Sequence, residues 1–186
     1  MNVLAVSGSP HVSGVSAGML HSALEAFRTG RDEIETVACY DMQISPCSDC
    51  GFCKIAPYRC AICDGMEKIY GLIDWSDVII LAFPLYYNSF PAPLKLIVDR
   101  TMCLYRRRFL GAVKPEHMKT GIALVSAGDE KLRGEECISR QLKMFFDVCC
   151  ARAEYTAFFD GNDAGFKHDF ETVKNGVRQC VFGRYA

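Results

Sequence analysis

The sequence lacks any run of about 18 apolar residues, the shortest length that lets a helix cross a membrane, so no transmembrane segment is expected. It also lacks the basic start of a secretory signal peptide, because its first apolar run follows no positive charge and stops at Ser7. We therefore expect a cytoplasmic protein whose thiols stay reduced.

A net charge is almost absent as well. The 21 Lys and Arg residues nearly balance the 22 Asp and Glu residues, which leaves a formal charge of -1. No broad basic surface is expected, so neither nucleic acid nor a membrane surface is an expected partner. The length of 186 residues, half of them apolar, suits one domain over residues 1–186 with one sizeable core.

Several catalytic signatures are missing. The sequence has no G-x-G-x-x-G, and its first glycine-containing loop has no Lys of the kind that binds a nucleoside triphosphate. It has no G-x-S-x-G elbow, and its 4 histidines form no spaced pair. A dinucleotide clasp, ATP binding and Ser-His-Asp hydrolysis are therefore disfavoured.

What the sequence has is an alternation of apolar strands and amphipathic helices. The predicted strands are Asn2–Val6, Glu33–Cys39, Asp77–Phe83, Thr120–Val125 and Arg152–Phe159. Helical spacing follows each of them, and the last helix is predicted from Phe166, Phe170, Val173 and Val177. This pattern is typical of a doubly wound α/β fold, in which five parallel strands in the order 2-1-3-4-5 have helices on both faces.

Ligands of such sheets bind beyond the carboxyl ends of the strands. The loop after the first strand carries hydroxyls and glycine at the start of a helix, which suits a phosphate. Its candidate binding residues are Ser9, His11, Ser13, Gly14, Val15 and Ser16. The alternative interpretation is an ordinary turn in which Ser16 caps the helix.

The loops after the third and fourth predicted strands suit a flat heteroaromatic ring. Pro84, Leu85, Tyr86, Tyr87 and Asn88 combine apolar and aromatic surface with an amide. Ser126, Ala127 and Gly128, followed by Asp129, are small enough for a ring to approach the backbone. Together the three loops predict a mononucleotide-sized ligand with one phosphate, a description that FMN fits.

A loop of about 25 residues, 41–65, is much longer than the ~2–6 residues that usually join such elements. It holds Cys47, Cys50, Cys53, Cys60 and Cys63 out of 11 cysteines in the chain. A C-x2-C-x2-C spacing with a later cysteine is used for [4Fe-4S] clusters, and four thiolates also suit tetrahedral zinc. Free or redox-active thiols are the third alternative. The remaining cysteines are scattered and are expected to be structural.

These motifs together resemble a known family. Gly8-Ser9-Pro10 with Gly14 and Ser16, Phe83 to Tyr87, and Leu94-Lys95-x3-Asp99-Arg100 resemble segments of the flavodoxin-like NAD(P)H-dependent FMN reductases. The cysteine spacing, followed by Asp64-Gly65-Met66, resembles the compact motif of the iron–sulfur flavoproteins in that group. The match runs from residue 3 to about residue 128.

The resemblance implies an electron-transfer flavoprotein with FMN and a [4Fe-4S] cluster bound by Cys47, Cys50, Cys53 and Cys60, with Cys63 as an alternative fourth ligand. It also implies NAD(P)H as an electron donor, a redox partner or small-molecule acceptor, and a homodimer or homotetramer. No catalytic acid or base is expected, because flavin N5 carries the chemistry. Two alternatives stay open: an NAD(P)H-dependent FMN or quinone reductase without a cluster, and a zinc-stabilised binding or regulatory module.

Overall fold

Five parallel strands form one sheet in the order β2-β1-β3-β4-β5, which confirms the predicted topology. The structure is a computed structural model that describes residues 1–27, 31–56, 59–110, 115, 117–128, 134–165 and 167–183. The strands are β1 (Asn2–Ser7), β2 (Glu33–Ala38), β3 (Val78–Pro84), β4 (Lys119–Ser126) and β5 (Ala151–Phe159). All neighbouring pairs run parallel.

Seven α-helices are found among the described residues: α1 (Val15–Glu25), α2 (Phe52–Ile55), α3 (Met66–Trp75), α4 (Ala92–Arg100), α5 (Met102–Tyr105), α6 (Glu135–Val148) and α7 (Glu171–Phe182). A 3₁₀ turn (Cys39–Asp41) and a π-helical turn (Arg106–Leu110) complete the helical segments. Within the described ranges, no helix combines the length and the apolar character that spanning a bilayer requires.

The two faces of the sheet carry separate cores. Val3 and Ala5 of β1 face α1 and α7, whereas Leu4 and Val6 belong to the core formed with α3, α4 and α6. The six apolar residues of β3, from Val78 to Phe83, are all buried because helices cover both of its faces. The predicted interior strand and the two-sided helical cover are thus confirmed.

The last helix begins later than its apolar spacing predicts. Phe170 precedes α7, which begins at Glu171, and Phe166 lies outside the described residues. The start is set by Asp169, whose carboxylate accepts a hydrogen bond from the Glu171 amide (3.0 Å). Phe170 instead packs its ring on Phe159 at the end of β5, with 5.7 Å between ring centroids.

Candidate functional site

The carboxyl ends of the strands bring the predicted binding loops together. Pro84, the last residue of β3, is in register with Ser126, the last residue of β4, and Ser126 is in register with Phe159 of β5. The loop after β1 joins them, because the Gly8 amide donates to the Ala82 carbonyl (2.8 Å). The loops after β1, β3, β4 and β5 therefore start at one edge of the sheet.

These loops enclose a cavity of about 450 Å³. Most of the predicted cofactor-binding residues line it: Ser9, His11, Gly14, Val15, Ser16, Pro84, Leu85, Tyr86, Ser126, Ala127 and Gly128. Asn162 and Asp163, which the sequence analysis did not identify, line it too. The volume lies within the ~300–1,000 Å³ range of small-molecule sites.

The helix α1 opens directly into this cavity. Its N-cap is Gly14, which has extended backbone (φ -80°, ψ 179°) and no side-chain cap, so the interpretation of Ser16 as the cap is wrong. Ser16 lies in the first turn, and its buried hydroxyl hydrogen-bonds to that of Ser126 (2.7 Å). The amides of a first helical turn have no partner within the helix and carry partial positive charge, which suits a phosphate at this position.

The loop that precedes α1 is shaped by Ser9. Its hydroxyl accepts a hydrogen bond from the His11 amide (3.1 Å), which fixes a turn at the wall of the cavity. Gly8 is packed so closely that a Cβ there would collide with Leu94 and Phe83. The chain can pass between β3 and α4 at this point only because residue 8 has no side chain.

Ser13, Tyr87 and Asn88 were predicted to bind the cofactor but do not line the cavity. Tyr87 and Asn88 occupy the centre of a tight turn closed by hydrogen bonds between the Tyr86 and Ser89 backbones. Both have positive φ angles, 47° and 60°. This turn directs Tyr87 fully into solvent and packs Asn88 against Gly134, the residue before α6. Asp129 lies outside the described residues.

The loop after β5 joins the site through Asn162. Its side-chain nitrogen donates to the carbonyls of Ala127 (2.6 Å) and Phe159 (3.2 Å), so its oxygen faces His168 Nε2 at 2.8 Å. That oxygen can only accept, which makes Nε2 the protonated nitrogen of His168. The next residue, Asp163, lies against Gly128, where a Cβ would collide with its carboxylate.

The wall of the cavity matches FMN chemically. Amides and hydroxyls lie at the α1 end, apolar and aromatic surface comes from Pro84, Leu85 and Tyr86, and backbone is exposed at Gly128. Phosphate, flat ring and polar ring edge would each meet a suitable surface. The donor set and the size therefore fit this cofactor.

A second, smaller cavity of about 30 Å³ lies in the cysteine loop that follows β2. Cys47, Cys50, Cys53 and Cys60 all line it, together with Arg100, Met102 and Cys103. Part of the loop is ordered as the short helix α2, which contains Cys53. In the present arrangement of the described residues, no three Cys, His, Asp or Glu side chains converge closely enough to hold a metal ion.

Both ends of the cysteine loop are bound by Arg100, the last residue of α4, which is only 2% exposed. Its two terminal nitrogens form a bidentate ion pair with Asp64 (2.8 and 3.2 Å) and donate to the carbonyls of Ser45 (2.8 Å) and Ile62 (3.0 Å). Burial alone would lower the pKa of Arg100, but the hydrogen bonds and charge of Asp64 hold it above its usual value.

The other two cysteines near this cavity differ from the four. Cys63 does not line it, but together with Cys60 it lines a neighbouring cavity of about 550 Å³ beside Glu67, whose negative charge raises the pKa of the Cys63 thiol. Cys103 does line it, which the sequence analysis did not predict, and burial raises the pKa of its thiol. The four cysteines first selected thus share one cavity, with a buried neutral thiol beside them.

Similarity to known proteins extends over most of the chain. The family described as NADPH-dependent FMN reductase matches residues 1–153. The iron-sulfur flavoprotein of Methanosarcina thermophila is 35% identical over 136 residues, which cover 73% of this chain and 68% of that relative.

Solved structures share the fold. The azoreductase from Bacillus anthracis strain Sterne superimposes with a TM-score of 0.72 at 15% identity and covers 96% of this chain and 99% of its own. An FMN-dependent NADH-azoreductase from Bacillus anthracis strain Ames Ancestor, in complex with FMN, gives a TM-score of 0.68 at 14% identity, with 96% and 95% covered.

Proposed function

Because this chain belongs to the NADPH-dependent FMN reductase family and is a flavin oxidoreductase, we propose that it passes electrons between FMN and a [4Fe-4S] cluster. FMN would occupy the cavity at the ends of β1, β3, β4 and β5. Cys47, Cys50, Cys53 and Cys60 would bind the cluster. An NAD(P)H donor and a redox partner or small-molecule acceptor complete the proposed reaction.

The residues of the flavin cavity, at the ends of β1, β3, β4 and β5, divide into a phosphate group and a ring group. The first-turn amides of α1, with Ser9, His11 and Ser16, would bind the phosphate. Pro84, Leu85 and Tyr86 would contact the ring on one side, and the backbone from Ser126 to Gly128 would close the other side. Bound FMN supplies the exchange of two electrons with a donor and single electrons with an acceptor. The chain orients the cofactor and contributes no acid or base.

The cysteine loop supplies four thiols from a single segment of chain. A cavity of about 30 Å³ is close to the volume of one water molecule, so cluster binding requires the thiols to turn and the loop to widen. The Arg100–Asp64 pair would hold the ends of the loop while its middle moves. A cluster held in this way would supply one-electron chemistry.

The observation that carries this proposal is the shared edge of the sheet. β2 ends in register with β1, at Ala38 and Ser7, so the cysteine loop leaves the sheet at the edge from which the flavin loops leave. The two proposed centres would then lie at the same edge of the sheet, which supports electron exchange between them.

The test is the content of iron, sulfide, zinc and flavin per chain in protein purified without oxygen. We expect one FMN with about four iron and four sulfide. FMN without iron, even after anaerobic reconstitution, would contradict the cluster and leave a cluster-free FMN or quinone reductase. Zinc without flavin would contradict both cofactors and leave the zinc-stabilised module. We also propose that the chain folds as one domain, is cytoplasmic and forms a homodimer or homotetramer.

A further inference from the structure

The guanidinium of Arg100 has more hydrogen-bonding capacity than the cysteine loop uses. A guanidinium carries five N–H donors and stays charged at all accessible pH values. The four bonds to Asp64, Ser45 and Ile62 engage its two terminal nitrogens. Its remaining donor, Nε, is buried and has no hydrogen-bond partner among the described residues.

The surroundings of this donor favour a bound anion. Arg100 lines the same cavity as Cys47, Cys50, Cys53 and Cys60, and its side chain has no exposed surface. Leaving a buried donor unpaired destabilises the folded chain, so such groups usually face a ligand or water. A cluster bound by four thiolates is an anion with sulfur acceptors, and it gains negative charge on reduction.

We propose that Arg100 is a positioning residue for the cysteine-bound centre, which it serves by fixing both ends of the cysteine loop and by offering its charge and its Nε–H to sulfur in the cavity. This inference rests on the proposed cluster. Hydrogen bonds to sulfur and nearby positive charge favour the reduced, more negative state, so Arg100 raises the reduction potential of the centre. Asp64 has the opposite charge and lowers that potential.

The test compares reduction potentials, measured by anaerobic spectroelectrochemical titration, in three single variants. Arg100→Lys keeps a charge but loses Nε–H and the planar fork. We expect a tenfold change in the one-electron equilibrium, which makes the reduction potential about 59 mV more negative. Asp64→Asn leaves Arg100 intact, and we expect a more positive potential. Asp99→Asn changes the net charge equally at an exposed position of α4 and should leave the potential unchanged.

A role limited to holding the loop would move the potentials of Arg100→Lys and Asp64→Asn in the same direction, and that result would overturn the inference. If Arg100→Lys fails to retain FMN, the reduction potential of Asp64→Asn is compared with that of the double variant Asp64→Asn, Arg100→Gln. Neither protein contains the Arg100–Asp64 ion pair, so the comparison isolates the contribution of Arg100 itself. An unchanged potential between those two also overturns it. Wild-type protein that takes up FMN but no iron would instead overturn the cluster itself, and the inference with it.

Discussion

The hydrogen bond between Ser16 and Ser126 joins the two loops that we assign to opposite parts of FMN. Ser16 lies in the first turn of α1 and Ser126 ends β4, so one contact couples the phosphate end of the cavity to its ring end. Both residues are buried, at 3% and 4% exposure, which makes their geometry insensitive to solvent. A change at either serine leaves the other hydroxyl buried without this partner, so it should affect stability as well as cofactor binding.

We expect the double variant Ser9→Ala, Ser16→Ala to bind FMN at least roughly a hundredfold more weakly, because two hydroxyl bonds to a charged group contribute about 3–6 kcal/mol together. Fluorescence titration of the flavin measures this change. Ser13→Ala is the matched control, since Ser13 lies in the same loop outside the cavity wall. An unchanged affinity in the double variant would refute the phosphate assignment.

Most of the site residues were predictable because the loops after parallel strands share an edge. Asn162 and Asp163 obey the same rule after β5, although the sequence analysis did not predict them. Tyr87 was predicted to flank the ring of the cofactor, but its turn directs it into solvent. Its turn needs two residues with positive φ, and a Tyr-Asn pair gives a weaker sign of such a turn than Asn-Gly would.

At the scale of the elements, helix α3 contains a glycine at a position where alanine should be more stable. Gly71 is exposed in its middle, and a Cβ there would meet nothing within 4 Å. We expect Gly71→Ala to stabilise the fold by about 0.5–1 kcal/mol, because alanine loses less backbone entropy in a helix. Urea unfolding measures the difference.

Gly176 in α7 is the matched contrast to Gly71. A Cβ at this position would collide with the ring of Tyr155 on β5, so Gly176→Ala should destabilise the protein although alanine is again the better helix former. Equal shifts in both variants would show that helix propensity alone decides these positions.

The contact between α4 and the cysteine loop predicts a dependence on pH. Burial alone would raise the pKa of Asp64, but the hydrogen bonds from Arg100 and from the Ser45 and Met66 amides lower it below its ordinary value of 3.8. The stabilisation by this carboxylate is therefore complete above that value and is lost as the pH falls through the lowered pKa.

We expect Asp64→Asn to lower the free energy of unfolding by about 3 kcal/mol at pH 7, because it leaves the Arg100 charge buried without its partner. The difference from wild type should shrink once the pH falls below the lowered pKa, where wild-type Asp64 is protonated as well. Urea unfolding of metal-free protein at several pH values measures it. A difference that is constant with pH would contradict the assignment.

Strand order and the interior strand were predictable because a doubly wound fold allows few topologies for five alternating units. The cavity in the cysteine loop was not, because the loop follows no periodic pattern. Arg100 and Asp64 were visible in the sequence as parts of two motifs separated by 36 residues. Only the structure shows that an ion pair between Asp64 and Arg100 joins the two motifs.

On the scale of the whole molecule, an exposed groove of about 420 Å³ separates α4 from α6. Met102 and Met144, which line it, are 45% and 55% exposed, so the groove presents apolar surface to solvent. We connect this surface with the expected homodimer or homotetramer.

We expect sedimentation to show a dimer or tetramer that Met144→Glu weakens at least tenfold, because a carboxylate would be buried in the contact. Lys143→Gln changes the net charge by the same amount at the neighbouring exposed position and should leave assembly unchanged. A wild-type monomer at all concentrations would contradict this assignment.

The attachment of the cysteine loop to one guanidinium also makes the loop exchangeable. Since Ser45, Ile62 and Asp64 all bind Arg100, we expect the two ends of the segment between them to stay in place when its length or sequence changes. Replacing residues 46–61 by a short turn would remove all four proposed cluster ligands, and under our proposal the product would retain only the two-electron chemistry of the flavin.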